Sequence, residues 1–99
     1  MRAWIITKDY ITTDLSDRND TGTCGPRDAS DEMIAQLKKG KGYSFRMYDD
    51  DKNLYYRGRA IWDDDSDDSG PYGPLGDFGA PNAGCTYIRY NNHPEFDCE

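Results

Sequence analysis

The sequence predicts an α+β fold: a small antiparallel sheet of about four strands in β-α-β-β-β order, with one short helix packed on a face and long loops. Three observations predict it. Residues 43–62 alternate as a hairpin does, residues 31–39 have the composition of a short helix, and residues 2–7 and 85–90 are rich in β-branched and aromatic side chains. The chain has 99 residues, and we expect one domain over residues 1–99.

The hairpin joins residues 43–48 to residues 54–62 through a polar turn at 49–53. A turn centred on Asp51 and Lys52 predicts three facing pairs: Met47 with Tyr56, Phe45 with Gly58, and Tyr43 with Ala60. The predicted core face carries Tyr43, Phe45, Met47, Tyr56 and Trp62. The predicted outer face carries Ser44, Arg46, Tyr48, Tyr55, Arg57, Arg59 and Ile61. A register slip of one residue would bury the arginines, so the register is strongly specified.

The predicted helix places an apolar stripe on one side and ends before a glycine. Its stripe is Met33, Ile34 and Leu37, and Gly40 is the expected stop. Asp28 and Ser30 are both suitable N-caps. Residues 12–28 and 63–84 are expected to be irregular. The glycine- and proline-rich part of the second stretch is either a structural loop that docks Leu75 and Phe78 on the sheet or a ligand-contacting loop.

Charge suggests a first hypothesis about function. The formal net charge is −7, and residues 49–99 carry 12 acidic against 4 basic side chains. Such a surface disfavours membranes and non-specific nucleic-acid binding, and it suits a basic partner, which the acids could engage by mimicry of nucleic-acid phosphates. The alternative is a solvated acidic surface that only aids solubility. The candidate partner-binding residues are Asp49, Asp50, Asp51, Asp63, Asp64, Asp65, Asp67 and Asp68.

The outer hairpin face suggests a second hypothesis. Its arginines can bind phosphates through paired hydrogen bonds, and its tyrosines can stack on bases. The sequence therefore offers a nucleotide or oligonucleotide site as the alternative function. The alternative without a ligand is that Asp and Glu side chains of the long loops lie against the arginines, or that the arginines and tyrosines pack on one another. The candidate ligand-binding residues are Arg46, Arg57, Arg59, Tyr48 and Tyr55.

No motif for catalysis or metal binding is found. The acidic runs lack the glycine and glutamate of a calcium-binding EF-hand loop, and no GxxxxGK[ST] or GxGxxG sequence occurs. Cys24, Cys85, Cys98 and His93 lack the close pairs of a zinc site. We therefore expect no enzyme activity, metal or cofactor. The opening residues lack a signal peptide's apolar run, so we expect a cytoplasmic protein with free thiols, and a Cys85–Cys98 bridge is the alternative. Edge strands could pair two copies into a homodimer.

Several segments resemble one family. Residues 45–51 (FRMYDDD), 54–59 (LYYRGR) and 73–88 (GPLGDFGAPNAGCTYI) resemble a family of small uncharacterised proteins of bacteria and their phages, and residues 3–9 and 25–28 also fit it. The resemblance covers most of the chain and implies an intracellular, phage-borne origin without implying an activity. Together with the acidic charge, it leads to the main hypothesis: a phage or mobile-element protein that binds and inhibits a basic nucleic-acid-binding host defence protein.

Overall fold

The computed structural model describes residues 2–10, 21–26, 29–62 and 71–98. Its strands are β1 (Arg2–Asp9), β2 (Cys24–Gly25), β3 (Tyr43–Tyr48), β4 (Leu54–Trp62) and β5 (Tyr87–Tyr90). Helix α1 (Asp31–Lys38) follows β2, and a π-helical turn (Leu75–Gly79) leads into helix α2 (Ala80–Ala83) before β5. A short 3-10 turn (Pro94–Phe96) follows β5. Asp28 and the acidic run 63–68 lie outside the described residues.

The strands form one antiparallel sheet in the order β2-β1-β4-β3-β5. This confirms the predicted α+β class. Strand β2 was not expected, because two residues are too few for the alternation that identifies a strand. It lies at one edge of the sheet beside β1. At the other edge, the main chain of Cys98 exchanges two hydrogen bonds with Ile88, so part of the outer edge of β5 is already paired.

The hairpin has the register that the sequence predicts. Met47 faces Tyr56, Phe45 faces Gly58, and Tyr43 faces Ala60. Phe45, Met47 and Tyr56 are each at most 1% exposed, which confirms their place in the core. Tyr43 and Trp62 are partly buried against the same cluster. The pairing holds because the opposite register would place arginines in this apolar layer, where a charge without a partner costs several kcal/mol.

Helix α1 begins and ends where the sequence predicts, within one residue. Ser30 is the N-cap, and its Oγ accepts a hydrogen bond from the Met33 N–H at 3.1 Å. Acidic residues stand in the first turn and a lysine in the last, which complements the helix dipole. Leu37 is 2% exposed and packs with Ala3 and Ile5 of β1. Helix α1 therefore covers one end of one face of the sheet.

The segment from Pro71 to Gly84 covers the other face, which we call the core face. Leu75 and Phe78 are buried there, as the docking-loop interpretation predicts, although the backbone is helical rather than irregular. Asp77 ties the segment to β1. Its carboxylate accepts hydrogen bonds from Arg2 Nε at 3.0 Å, Arg2 Nη2 at 2.8 Å and Trp4 Nε1 at 3.1 Å. Because these bonds account for the partly buried Asp77 carboxylate, the segment has a structural role.

Candidate functional site

The face of the sheet opposite the core face carries a row of cations, and we call it the arginine face. In the register of the sheet, Lys8 of β1 lies opposite Arg57 of β4, Arg57 lies opposite Arg46 of β3, and Arg46 lies opposite Arg89 of β5. Directly opposed residues share a face of the sheet, so these four side chains form one line across four strands. We call this line the basic row.

The basic row places like charges side by side. Opposed Cβ atoms in an antiparallel sheet are about 4.5–5.5 Å apart, and like charges at that spacing destabilise the sheet. Among the described residues, no carboxylate forms an ion pair with any member of the row. Lys8, Arg57 and Arg89 are exposed. Arg46 is half-buried, and its Nε is a buried donor with no hydrogen-bond partner. As far as the described residues show, the row has one unused donor, at Arg46, and cations that form no ion pair.

Two tyrosines lie beside the row, two residues nearer the hairpin turn. Tyr48 of β3 lies opposite Tyr87 of β5, and their rings stack with centroids 4.9 Å apart and planes 11° apart. Arg89 lies over the Tyr87 ring, with its Cζ 5.8 Å from the centroid. Lys8 similarly lies over the Tyr10 ring, with its Nζ 5.9 Å from the ring centroid. The arginine face thus joins half-buried aromatic rings to cations, the combination that binds bases and phosphates of single strands.

A polar cleft opens on the other side of the row. Its volume is about 200 Å³. Arg57 and Arg59 of β4 line it, and the remaining polar lining comes from Thr7, Ser44 and Asn91. Thr7 is the residue at which β1 bulges between its pairings with β4. All five side chains can donate hydrogen bonds, and no carboxylate among the described residues lines the cleft. The cleft is therefore suited to an anion.

Tyr55 is the one predicted member of this face that the structure removes from it. The register shifts by one residue at the end of the hairpin, so that Tyr48 faces Leu54 rather than Tyr55. Tyr55 packs against the core-face cluster instead. A bulge places an extra residue in one strand and reverses the side on which the following side chains project. The bulge therefore separates Tyr55 from Arg46, Arg57, Arg59 and Tyr48, which do share the arginine face.

The carboxylate of Asp49, one of the predicted partner-binding residues, forms hydrogen bonds within the hairpin turn. Its carboxylate accepts hydrogen bonds from the main-chain N–H groups of Asn53 at 2.8 Å and Asp51 at 3.0 Å, and from Asn53 Nδ2 at 3.1 Å. These bonds, with one from the Tyr55 hydroxyl, lower the pKa of Asp49, and the nearby carboxylate raises the pKa of Tyr55. Asp50 is exposed at the turn. Asp63, Asp64, Asp65, Asp67 and Asp68 lie outside the described residues.

The lowered pKa of Asp49 gives a pH-dependent prediction. A carboxyl whose pKa is lower in the folded state stabilises that state above its ordinary value, 3.8, and the contribution is lost as the pH falls towards the folded-state pKa. We expect wild-type stability to fall more steeply below pH 3.8 than that of Asp49→Asn. The measurement is the urea midpoint as a function of pH. Asp50→Asn is the matched control and should follow the wild type; identical curves for Asp49→Asn and wild type would contradict the role of Asp49.

The three thiols are far apart in the sheet: Cys85 packs in the core-face cluster, Cys98 pairs with Ile88 at the outer edge of β5, and Cys24 lies opposite Ile5 on the same face as the arginines. Within the described residues, no three His, Cys, Asp or Glu side chains converge as a metal site would require. The three cysteines are free, and burial raises the pKa of Cys85 to about 12. His93 stacks on Phe96 and contacts Glu95 at 3.3 Å. No described helix combines the length and the apolar character needed to cross a membrane.

Comparison with protein-family models, with curated proteins and with solved structures gives no match to this chain. The case for a function therefore depends on the geometry of the arginine face. Three of its residues, Lys8, Tyr87 and Arg89, were not among the sequence-predicted site residues. Alternation in β5 puts Tyr87 and Arg89 on the face opposite Ile88, and the strand order then brings them beside Tyr48 and Arg46.

Proposed function

We propose that this protein binds single-stranded nucleic acid on its arginine face. The observation that carries the proposal is the basic row. Four cations are aligned across four strands with no acidic partner among the described residues. Such a row weakens the sheet, and phosphate oxygens would relieve the repulsion and use the idle donors. A ligand that neutralises the basic row would explain why the free protein keeps an arrangement that lowers its stability.

The tyrosine pair supports a single strand over a duplex. Stacking on Tyr48 or Tyr87 requires an unpaired base, whose flat face is free. The remainder of the protein is acidic, so a long duplex that extends past the sheet would meet repulsion. We therefore expect short, unpaired segments to bind and long duplexes to bind poorly. The proposal therefore departs from the expectation, based on net charge, that non-specific nucleic-acid binding is disfavoured, because it relies on the local positive charge of the arginine face.

Fluorescence anisotropy with a labelled short oligothymidylate tests the proposal. The double variant Arg57→Gln/Arg89→Gln removes two exposed cations of the row. We expect its affinity to fall at least tenfold, because each lost charge-assisted hydrogen bond contributes about 1.5–3 kcal/mol. The slope of log affinity against log salt should also fall by about 0.7 for each phosphate contact that is lost.

A matched control separates the row from net charge. Lys38→Gln/Lys39→Gln makes the same change in net charge at the exposed end of α1. It should retain nearly all of the wild-type affinity. Equal losses in the two double variants would show that only overall charge matters. Failure of the wild-type protein to bind the oligonucleotide at low salt would refute the proposal.

The acidic hypothesis remains as a second proposal. It is favoured by the excess of acid in residues 49–99 and by the exposed Asp50 and Asp51 at the hairpin turn. In this proposal the protein is cytoplasmic, borne by a phage or mobile element, and inhibits a basic nucleic-acid-binding host protein, alone or as a homodimer. The anisotropy titration separates the two proposals, because an inhibitor that presents carboxylates as phosphate mimics is not expected to bind the oligonucleotide itself.

A further inference from the structure

The polar cleft has more donors than an internal phosphate can use. Arg57 and Arg59 each carry a planar fork of N–H groups, and Ser44, Thr7 and Asn91 add two hydroxyls and an amide. A phosphodiester within a strand offers two unbridged oxygens, whereas a terminal phosphate offers three and carries a charge of about −1.5 to −2. We infer that the cleft binds the terminal phosphate of a nucleic-acid strand, an inference that rests on the proposed function.

The position of the cleft supports an end rather than a continuing strand. Arg59 lies opposite Ile5 of β1 on one side and opposite Ser44 of β3 on the other. Ile5 packs with Leu37 of α1, so the helix covers the face immediately beyond the cleft. A strand that crosses the tyrosine pair and the basic row therefore meets α1 after the cleft. On the β1 and β4 side of the cleft, α1 therefore leaves less room for a continuing backbone than for a terminal group.

The charge and the size of the cleft also support a terminal phosphate as its ligand. The cleft lies between cations, and none of the described residues that line it is acidic, so a dianion would be attracted there. Its volume of about 200 Å³ is ample for a phosphate group. The bases are then left to Tyr48 and Tyr87, which lie on the far side of the basic row. The face thus has separate places for a terminal phosphate and for stacked bases.

The test compares three forms of one oligothymidylate, which carry a 5′-phosphate, a 3′-phosphate or hydroxyls at both ends. Competition against a labelled strand gives their relative affinities. We expect one phosphorylated form to bind about tenfold or more tightly than the hydroxyl-ended form, because the added charge gains charge-assisted hydrogen bonds. Which end is preferred gives the polarity of the strand on the face.

Two variants test whether the preference for a phosphorylated strand depends on the cleft. In Arg59→Gln, the ratio of affinities for phosphorylated and hydroxyl-ended strands should approach one. In Arg89→Gln, at the β5 end of the basic row, both affinities should fall while the ratio persists. Equal binding of all three forms by the wild type would overturn the terminal-phosphate inference and leave the proposed function standing. No binding of any form would overturn both. Thermal melts of both variants establish that the fold is intact.

Discussion

Replacing Gly58 with alanine is expected to destabilise the protein by about 3 kcal/mol or more. Gly58 lies in the centre of β4, and a Cβ at this position would overlap the main-chain oxygen of Ile5 and the ring of Phe45. The carbonyl belongs to the neighbouring strand and cannot move without loss of the β1–β4 pairing, and Phe45 is only 1% exposed. Urea unfolding followed by circular dichroism measures the loss.

Gly40→Ala is the matched control. Gly40 has a φ of +87°, but a Cβ there would meet nothing within 4 Å. Its replacement should cost only the strain of a left-handed conformation, about 1–2 kcal/mol. A smaller loss for Gly58→Ala than for Gly40→Ala would contradict the overlap. A second comparison uses Phe45→Leu in the Gly58→Ala background, which should give little rescue because the Ile5 carbonyl remains in place.

The hairpin shows how much of the fold the sequence could predict. Alternation over residues 43–62 determined the three facing pairs and the buried set, because a slip would bury arginines. The bulge beside Tyr48 could not be predicted in this way. It depends on how the turn at Asp49 closes, and the hydrogen bonds that this carboxylate accepts from Asp51 and Asn53 have a geometry that the alternation does not encode. The one extra residue in β4 places the Tyr55 side chain on the core face instead of the arginine face.

The candidate site was predictable within the hairpin and not beyond it. Arg46, Arg57, Arg59 and Tyr48 share a face because two-residue periodicity holds within β3 and β4. Lys8 and Arg89 join them only because β1 and β5 flank the hairpin, an order that follows from tertiary packing. Alternation within β5 is visible in the sequence, but its neighbour and register are not. The polar cleft likewise depends on the bulge at residue 7 and on the placement of α1.

Charge reversal at the centre of the row should separate stability from binding. Arg46 faces Arg57 on one side and Arg89 on the other, and its Nε is buried without a partner. In Arg46→Glu, two like-charge pairs become two opposite-charge pairs. We expect the free protein to gain about 1 kcal/mol of stability. We also expect oligothymidylate affinity to fall by more than a hundredfold, because a carboxylate then occupies the centre of the phosphate-binding row.

The expected gain in stability and loss of affinity together make Arg46→Glu an informative variant. A variant that loses binding through misfolding also loses stability, whereas Arg46→Glu is expected to be more stable than the wild type. Arg46→Lys provides the graded control: it keeps the charge but lacks the planar fork, so its affinity should lie between those of wild type and Arg46→Glu. Thermal melts with and without oligonucleotide measure both quantities in one experiment, since a ligand raises the melting temperature only where it binds. A destabilised Arg46→Glu would show that the row is not a source of repulsion in the free protein, and with that the main support for nucleic-acid binding on this face would be lost.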